Sequence, residues 1–271
     1  MGLVVNTNVA AINTSRVLRR STNALGKSLE RLSSGLRVNR AADDAAGLAI
    51  AEGFRSRVRG LEVAQRNAQD GISLLQTAEG ALSETTSIVQ RIRELAVQSA
   101  NGTNSATNRS DLQAEVAQLI SQIDAIAFNT EFNGINPISA LGSVLLQVGA
   151  EGNQTQQVVF NAATATGLGV GVTNISSIIG ATSAISLADS ALTNLGTARA
   201  NLGAQQNRLE FTINTLAIEQ ENSAASESAI RDANIATETI KFTRNQILVS
   251  AGTSILAQAN VIPQTALQLL G

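Results

Sequence analysis

The chain has 271 residues, of which 44% are hydrophobic, and a formal net charge of −2. It contains no Cys, His, Trp or Tyr, so it has no disulfide and lacks the commonest metal ligand and the commonest general base. The apolar residues are mainly Ala, Leu, Ile and Val, which suits slender helices in close contact better than a core filled by aromatic rings. We therefore expect no enzyme, no cofactor and no metal site.

The first predicted element is an amphipathic helix near the N-terminus. Its apolar stripe is made by Leu18, Leu25, Leu29, Leu32 and Leu36. The same stretch is basic, with Glu30 as its one acidic residue among Arg16, Arg19, Arg20, Lys27, Arg31, Arg37 and Arg40. Such a helix can bind membranes or phosphates. Because it lacks aromatic side chains, we favour contact with acidic neighbours over binding to nucleic acid or a membrane.

A long helix is predicted next, from Asp43 or Asp44, which are plausible N-caps, to a stop at Asn101-Gly102. We expect the Asp pair to contact Arg37 or Arg40. Steps of seven from Phe54 reach apolar residues throughout: Leu61, Ala68, Leu75, Leu82, Val89 and Ala96. This spacing is typical of coiled-coil packing. Three glycines in this helix would permit close approach of another helix: Gly60, Gly71 and Gly80.

A shorter helix is predicted from Ser110, in a capping box with Gln113, to Ala127. The composition then changes, because residues 134–180 hold eight of the 21 glycines and a single charged residue. This segment contains the one convincing β region of the sequence. Two strands around a Gly/Asn turn are predicted at Val144–Val148 and Gln156–Phe160. The glycine-rich Gly167–Val172 lacks the Lys and the strand-loop-helix context of a phosphate loop, so we interpret it as a flexible loop.

The second half mirrors the first, with another long helix predicted from near Ser183 to Ala233. Steps of seven from Ala188 give Leu195, Leu202, Leu209, Leu216, Ser223 and Ile230, and only Ser223 is polar. The C-terminal helix has its own apolar stripe, made by Ile240, Ile247, Leu248, Ala251 and Ile255. Long helices that run out and back would bring the two termini together.

These elements predict a mainly α fold: a long helical coiled-coil rod with a small β-hairpin region, plus paired N- and C-terminal helices. We place a terminal helical domain at residues 1–42 and 236–271 and a rod domain at residues 43–235, with its β region at about 140–180. Each terminal helix has one apolar side and few local partners, so even a pair leaves aliphatic surface exposed. We expect the termini to become ordered only on assembly with other copies.

Several strings along the chain resemble those of bacterial flagellins. The N-terminal half contains VNTNVAAIN at Val5–Asn13, LERLSSGLRVNRAADDAAGLAI at Leu29–Ile50, NAQDGISLLQTAEGAL at Asn67–Leu82 and QRIRELAVQSANGT at Gln90–Thr103. The C-terminal half adds LGAQQNRLE at Leu202–Glu210 and SILAQANVIPQTALQLL at Ser254–Leu270. Such strings follow one another in order over most of the chain.

The resemblance implies a structural role. In the family, the terminal helices form the innermost tube of the flagellar filament, and the long helices and small hairpin surround it. Only a short segment separates the matching regions here, so the chain resembles a minimal flagellin without outer inserted domains. The implied function is self-polymerisation into a filament used for motility. The residues assigned to polymerisation are Leu18, Leu25, Leu29, Leu32, Leu36, Ile247, Leu248, Ile255 and Leu267.

The resemblance also implies partners and a location. The partners would be many further copies, the hook-junction and filament-cap proteins, and an export chaperone at the C-terminal helix. The N-terminus lacks the features of a cleaved signal peptide, so type III export to an extracellular flagellum is expected. No apolar run approaches the 18 residues of a membrane-spanning helix.

Flagellins of this type are also recognised by a Toll-like receptor of the innate immune system. The contact positions of the family fall here on Gln90, Arg91, Leu95 and Glu115. Two alternative functions remain open: a hook–filament junction protein of the same family, and a secreted, membrane-active helical protein.

Overall fold

The structure is a computed structural model that describes residues 7–268, with side chains described as far as residue 261. Within those residues it has five helices and two strands: α1 (Val9–Ser34), α2 (Ala45–Ala100), α3 (Ala106–Asn129), β1 (Gly142–Gln147), β2 (Thr155–Phe160), α4 (Ile178–Arg231) and α5 (Ile235–Gln268). The predicted mainly α fold with one small β-hairpin is therefore confirmed. The chain forms two compact units, which we name the terminal unit (Met1–Ser56 with Asn222–Gly271) and the central unit (Arg57–Glu221).

The helix starts follow local capping chemistry. The side chain of Asn8 accepts the N–H of Ala11 at 3.0 Å and opens α1. The carboxylate of Asp44 accepts the N–H of Gly47 at 2.8 Å at the start of α2, as predicted. The α1 helix ends at Gly35, whose φ of 72° places it in the left-handed conformation that glycine adopts readily.

The predicted capping box of α3 is wrong. The helix begins before Ser110, because Ser105 is the N-cap and its hydroxyl accepts the N–H of Asn108 at 3.2 Å. Gln113 instead bonds the segment that precedes α4. Its amide donates to the carbonyl of Thr173 at 3.3 Å and accepts the N–H of Ile175 at 2.6 Å. Gln113 thus bonds backbone groups of an irregular segment that would otherwise lack partners. These groups are distant in the sequence, so the residues around Gln113 could not predict the contact.

The predicted seven-residue rows form the core of the central unit. On α2 the row from Leu61 to Ala96 is buried, with no member more than 2% exposed. On α4 the row is represented by Leu195, Leu202, Leu209 and Leu216, all buried. The α3 helix contributes Val116, Ile123 and Ala127 to the same aliphatic interior. Burial of each large side chain stabilises the unit by about 1.5–3 kcal/mol before entropy is counted.

The β-hairpin packs on the glycines of α2. The strands are antiparallel, with Gly142 opposite Phe160, close to the predicted ranges. A methyl group at Gly71 would collide with the Leu146 side chain, and one at Gly60 would lie 2.9 Å from the Cβ of Ala150. Both glycines therefore make room for the hairpin. At Gly71 the predicted approach of another helix is also seen, because an added Cβ would lie 3.3 Å from Cδ1 of Leu209 on α4. Gly80 has no atom within 4 Å of the Cβ position.

One residue of β2, Val159, is bonded on both its backbone groups by a side chain of α4. The amide of Gln205 on α4 accepts the N–H of Val159 at 2.7 Å and donates to its carbonyl at 3.1 Å. The following segment, Gly167–Val172, is a loop as predicted, and hydrogen bonds hold a turn within it. The N–H groups of Val170 and Gly171 both donate to the carbonyl of Ala165 at 3.0 Å, and Val170 is buried.

Candidate assembly surface

The terminal helices α1 and α5 pair antiparallel within the terminal unit. Near the start of α1, the amide of Asn8 donates to the carbonyl of Ala259 at 2.7 Å. Further along, a Cβ placed on Gly252 would lie 3.2 Å from Cδ1 of Leu18. Residues further towards the C-terminal end of α1 therefore contact residues nearer the N-terminal end of α5, which makes the pair antiparallel. This confirms the predicted pairing of the terminal helices.

The seam between α1 and α5 buries small and polar side chains. Ser21, Ser28 and Ala259 are buried, whereas the larger Leu18 and Leu25 are only half-buried. A seam of this kind lets two helices approach closely. It removes much less apolar surface from water than the core of the central unit does.

A buried carboxylate lies in this seam. Glu238 of α5 is 5% exposed and lies 3.1 Å from the ammonium of Lys241 and 3.9 Å from the guanidinium of Arg31. Burial raises the pKa of Glu238, but the hydrogen bond from Ser28 and the ammonium of Lys241 outweigh it and hold the pKa below its usual value. Glu238 is therefore ionised at neutral pH and joins the two helices.

The linker after α1 is held by ion pairs. Lys27 lies 2.6 Å from Asp43, and its hydrogen bond, together with the backbone N–H groups of Asn39 and Arg40, lowers the pKa of Asp43 to about 2. The expected pairing of Asp43 with Arg37 or Arg40 is therefore wrong as far as their side chains go. The guanidinium of Arg40 instead bonds Glu30 at 2.7 Å, because Glu30 lies on the last turns of α1.

The same linker is tied to the linker between α4 and α5. The N–H of Arg37 donates to the carbonyl of Arg231 at 2.7 Å, and the N–H of Ala233 donates to the carbonyl of Gly35 at 2.8 Å. The side chain of Arg37 also donates to the carbonyl of Ile230. These bonds hold the inner ends of α1 and α5 together.

The outward faces of α1 and α5 are aliphatic. Ten large apolar side chains of the two helices are between 44% and 70% exposed: Val9, Ile12, Val17, Leu29, Ile235, Ile240, Ile247, Leu248, Ile255 and Val261. On α5, Ile240, Ile247 and Leu248 line a shallow groove of about 410 Å³. Exposed aliphatic surface of this extent usually marks an interaction site.

The predicted polymerisation residues fall into two groups. Leu18, Leu25, Leu32 and Leu36 are half-buried within the terminal unit. Leu29, Ile247, Leu248 and Ile255 are exposed and free to contact another molecule, and the side chain of Leu267 lies outside the described residues. Three further exposed residues of α1, Val9, Ile12 and Val17, were not predicted, since they lie off the apolar stripe of the helix.

A second predicted contact site lies in the central unit. The guanidinium of Arg91 bonds Glu115 at 2.9 Å and Glu94 at 3.1 Å, and the bond with Glu115 raises the pKa of Arg91 further above its usual value. Gln90 is exposed as well. Leu95, by contrast, is only 1% exposed and belongs to the aliphatic core. Its side chain is therefore not available as a surface contact in this structure.

Two further kinds of site, a membrane-spanning helix and a metal-binding group, are absent from the described residues. Between residues 7 and 268 no helix is long and apolar enough to cross a membrane. The same part of the chain has no group of three or more His, Cys, Asp or Glu residues placed to hold a metal ion.

Comparison with known families identifies the chain. Residues 5–141 match the bacterial flagellin N-terminal helical region, and residues 185–270 match the bacterial flagellin C-terminal helical region. The chain belongs to the bacterial flagellin family. Only residues 142–184 separate the two matched regions, so this flagellin is short and lacks a central inserted domain.

Individual relatives agree with this assignment along the whole chain. The flagellar filament 31.3 kDa core protein of Treponema maltophilum is 45% identical over 285 residues, which cover 99% of this chain and 100% of that protein. The flagellin of Bacillus subtilis (strain 168) is 44% identical, with 98% and 99% covered. The crystal structure of Bacillus cereus flagellin is 34% identical with a TM-score of 0.50, covering 56% of this chain and 88% of that one.

Proposed function

We propose that this chain is a structural subunit of the bacterial flagellar filament and that it self-assembles through the aliphatic outward faces of α1 and α5. The family and the relatives named filament core proteins support the filament role. One observation supports the site within the chain. Among the described residues, the terminal unit buries no Leu or Ile while it exposes Ile247, Leu248 and Ile255.

Burial of the outward faces of α1 and α5 in an interface between copies is favourable in free energy. Each aliphatic side chain moved from water into an interface contributes about 1.5–3 kcal/mol before the costs of association. A contact between two different surfaces of the same chain leaves one surface of each kind free on every added copy. Growth by such contacts continues without closure and produces a filament.

We further propose that α1 and α5 order only when copies assemble. The polar and small seam between them removes little apolar surface, and a lone helix pair of this kind is marginal in water. In the monomer, amide protons of α1 and α5 should exchange rapidly, whereas those of α2 and α4 near Leu75 and Leu195 should be protected. In filaments both sets should be protected. Slow exchange of α1 and α5 in an unaggregated monomer would refute this proposal.

Replacement of exposed apolar residues tests the assembly surface. The double variant Ile247→Asn/Leu248→Asn should remain a folded monomer but should not extend filament seeds, as measured by electron microscopy. The control is Val172→Asn, which replaces an apolar side chain that is 84% exposed in a loop of the central unit. The control should polymerise normally. Normal filament growth by the double variant would contradict the assignment of the α5 face.

The same microscopy separates the alternatives. A filament subunit should grow long filaments on seeds without other proteins, whereas a hook–filament junction protein should not. A membrane-active helical protein should release dye from vesicles of anionic lipid, and we expect no release. Relatives matched over their whole length are flagellins and filament core proteins, which favours the filament subunit.

The same function places the chain in the flagellum, with other copies as its main partners. Hook-junction and filament-cap proteins and an export chaperone at α5 complete the proposed set, and type III export is the proposed route out of the cell. The relatives are structural proteins, so we propose no catalytic role. The proposed domain division, after residues 42 and 235, assigns polymerisation to the two ends of the chain.

Recognition by a Toll-like receptor is a separate proposal that depends on Gln90, Arg91 and Glu115. Arg91→Ala should reduce the response of a receptor reporter cell to purified monomer. Arg93→Ala is a matched control, since Arg93 lies two residues away, is equally exposed and pairs with Asp189 at 2.6 Å. Equal loss in both variants, or no loss in either, would refute the proposal.

A further inference from the structure

The two ends of this chain are cationic without any acidic residue. Residues 1–29 and 239–271 contain no Asp or Glu. Their charged residues are Arg16, Arg19, Arg20, Lys27, Lys241 and Arg244. Lys27 pairs with Asp43, and Lys241 pairs with Glu238. Among the described side chains, three of the remaining arginines lie together on α1 without an ion-pair partner.

Those three arginines border one groove. Arg16, Arg19 and Arg20 are spaced by three and four residues, so they share a side of α1. The groove they line has a volume of about 610 Å³ and includes the polar side chains of Ser15 and Asn23. Three like charges this close repel one another unless an anion neutralises them.

Among the described residues of the terminal unit, each carboxylate already has another partner and is not free to supply that anion. Glu30 bonds Arg40, Glu52 bonds Arg231, and Glu227 lies 3.7 Å from Arg231. The remaining two have local partners. Asp44 caps α2, and Asp232 accepts the hydroxyl of Ser228 at 2.7 Å. The groove on α1 thus presents three guanidinium groups that have no ion pair among the described residues. Arg16 does donate to the neutral side chain of Asn13 at 2.9 Å, but that bond does not neutralise its charge.

We propose that the groove lined by Arg16, Arg19 and Arg20 binds a phosphate-class oxyanion. Guanidinium groups present paired N–H donors that match two oxygens of a phosphate, and no carboxylate lines the groove to repel it. The wall of the groove also contains Ile12 and Leu256. The site therefore suits a phosphate carried on a molecule with an apolar part, either a soluble phosphate ester or a phospholipid headgroup.

A locked terminal pair allows binding to be measured without filament assembly. A Cβ on Gly252 would lie 3.8 Å from the Cβ of Leu18, which matches the Cβ–Cβ separation of a disulfide. The chain has no natural Cys, so the only intramolecular disulfide that Leu18→Cys/Gly252→Cys can form joins these two positions. This oxidised monomer and the natural chain are titrated with inorganic phosphate at constant ionic strength, with side-chain N–H signals of arginine followed by NMR.

We expect saturable binding of inorganic phosphate by the locked monomer. Arg16→Gln/Arg19→Gln/Arg20→Gln in the same background should weaken it by about tenfold or more. The matched control is Arg59→Gln/Arg66→Gln/Arg244→Gln, which removes the same charge from exposed arginines outside the groove and should bind normally. Equal weakening in both triple variants, or a response that follows ionic strength alone, would overturn the proposal.

Two further arms identify the source of the phosphate. Vesicles of phosphatidylglycerol and of phosphatidylcholine are sedimented with the locked monomer. Binding to phosphatidylglycerol alone that needs the three arginines supports a lipid headgroup, and phosphate binding without vesicle binding supports a soluble ester. If the arginines are needed for filament growth but bind no phosphate in either arm, they face carboxylates of another copy. That result would overturn this proposal and leave the filament function intact.

Discussion

The central and terminal units are built from the same aliphatic residues but place them differently. The central unit buries a continuous row of Leu, Ile, Val and Ala from α2, α3 and α4. In the terminal unit, the buried apolar side chains among the described residues are Val38, Ala51 and Ala259. Its largest apolar side chains face outward. We therefore expect the central unit to be stable on its own and the terminal unit to depend on surfaces supplied by other molecules.

The contrast between the two units is explained by the side chains that lie where their helices meet. Where α1 meets α5, serine, glycine and alanine occupy the seam, and a buried ion pair around Glu238 fixes its alignment. Where α2 meets α4, leucine occupies the seam, and ion pairs such as Arg93–Asp189 lie at its exposed margin. A seam that buries few methyl groups contributes specificity of pairing but little stability.

Of the changes considered, removal of residues 247–271 should have the largest effect on filament growth. The truncated chain loses most of α5 and with it the exposed aliphatic face. We expect filament growth to be abolished, while circular dichroism still shows a soluble helical monomer because the central unit retains its core. Filaments grown from the truncated chain would show that the central unit alone assembles.

A cavity in the central core should cost about 2–5 kcal/mol of unfolding free energy. Leu75→Ala removes a side chain that is 1% exposed in the α2 row. Its control is Ile247→Ala, which truncates a side chain that is 63% exposed and should change monomer stability by less than about 0.5 kcal/mol. Chemical denaturation of both monomers measures the difference. Similar costs at the two positions would mean that the terminal unit is as well packed as the central one.

The Leu18→Cys/Gly252→Cys disulfide should stiffen the terminal unit without touching the central one. In the oxidised monomer, amide exchange in α1 and α5 should slow relative to the reduced form. Exchange near Leu195 should stay unchanged. Failure of the two cysteines to form a bond would contradict the alignment of α1 with α5.

The smallest effect should be an acid sensitivity confined to the terminal unit. The pKa of Asp43 is lowered to about 2 by Lys27, below its unfolded value of 3.8. A carboxyl whose folded pKa is depressed stabilises the fold above the unfolded value, and this contribution is lost as the pH falls from 3.8 towards 2. The pKa values of Glu30 and Glu238 are lowered too, which acts in the same direction.

Asp43→Asn tests this pH dependence. The variant should be less stable than the natural chain at neutral pH, and the difference should shrink as the pH falls through the same window. Filament disassembly measured as a function of pH for both chains gives the comparison. A difference that is constant with pH would assign the stabilising role of Asp43 to its shape and hydrogen bonds instead of its charge.

The periodicity of apolar residues was enough to predict the long helices, the central core and both strands. Leu and Ala repeated every seven residues form one apolar side of a helix, and this side is buried when it packs against a similar side of another helix. Local turn chemistry likewise placed the N-cap of α2 at Asp43 or Asp44, and the structure selects Asp44. The strings shared with flagellins lie mainly in the helices and in the linker between α1 and α2, so the family could also be predicted from the residues alone.

The three-dimensional packing settled which apolar positions remain available to other molecules. Leu25 and Leu29 belong to one stripe in the sequence, yet Leu25 is half-buried and Leu29 is 56% exposed. The resemblance to flagellins implied a receptor contact at Leu95, but its side chain belongs to the core. Helical spacing shows that a residue is on an apolar side, but the extent of its burial depends on a partner helix. For α1 that partner is α5, which comes from the opposite end of the chain.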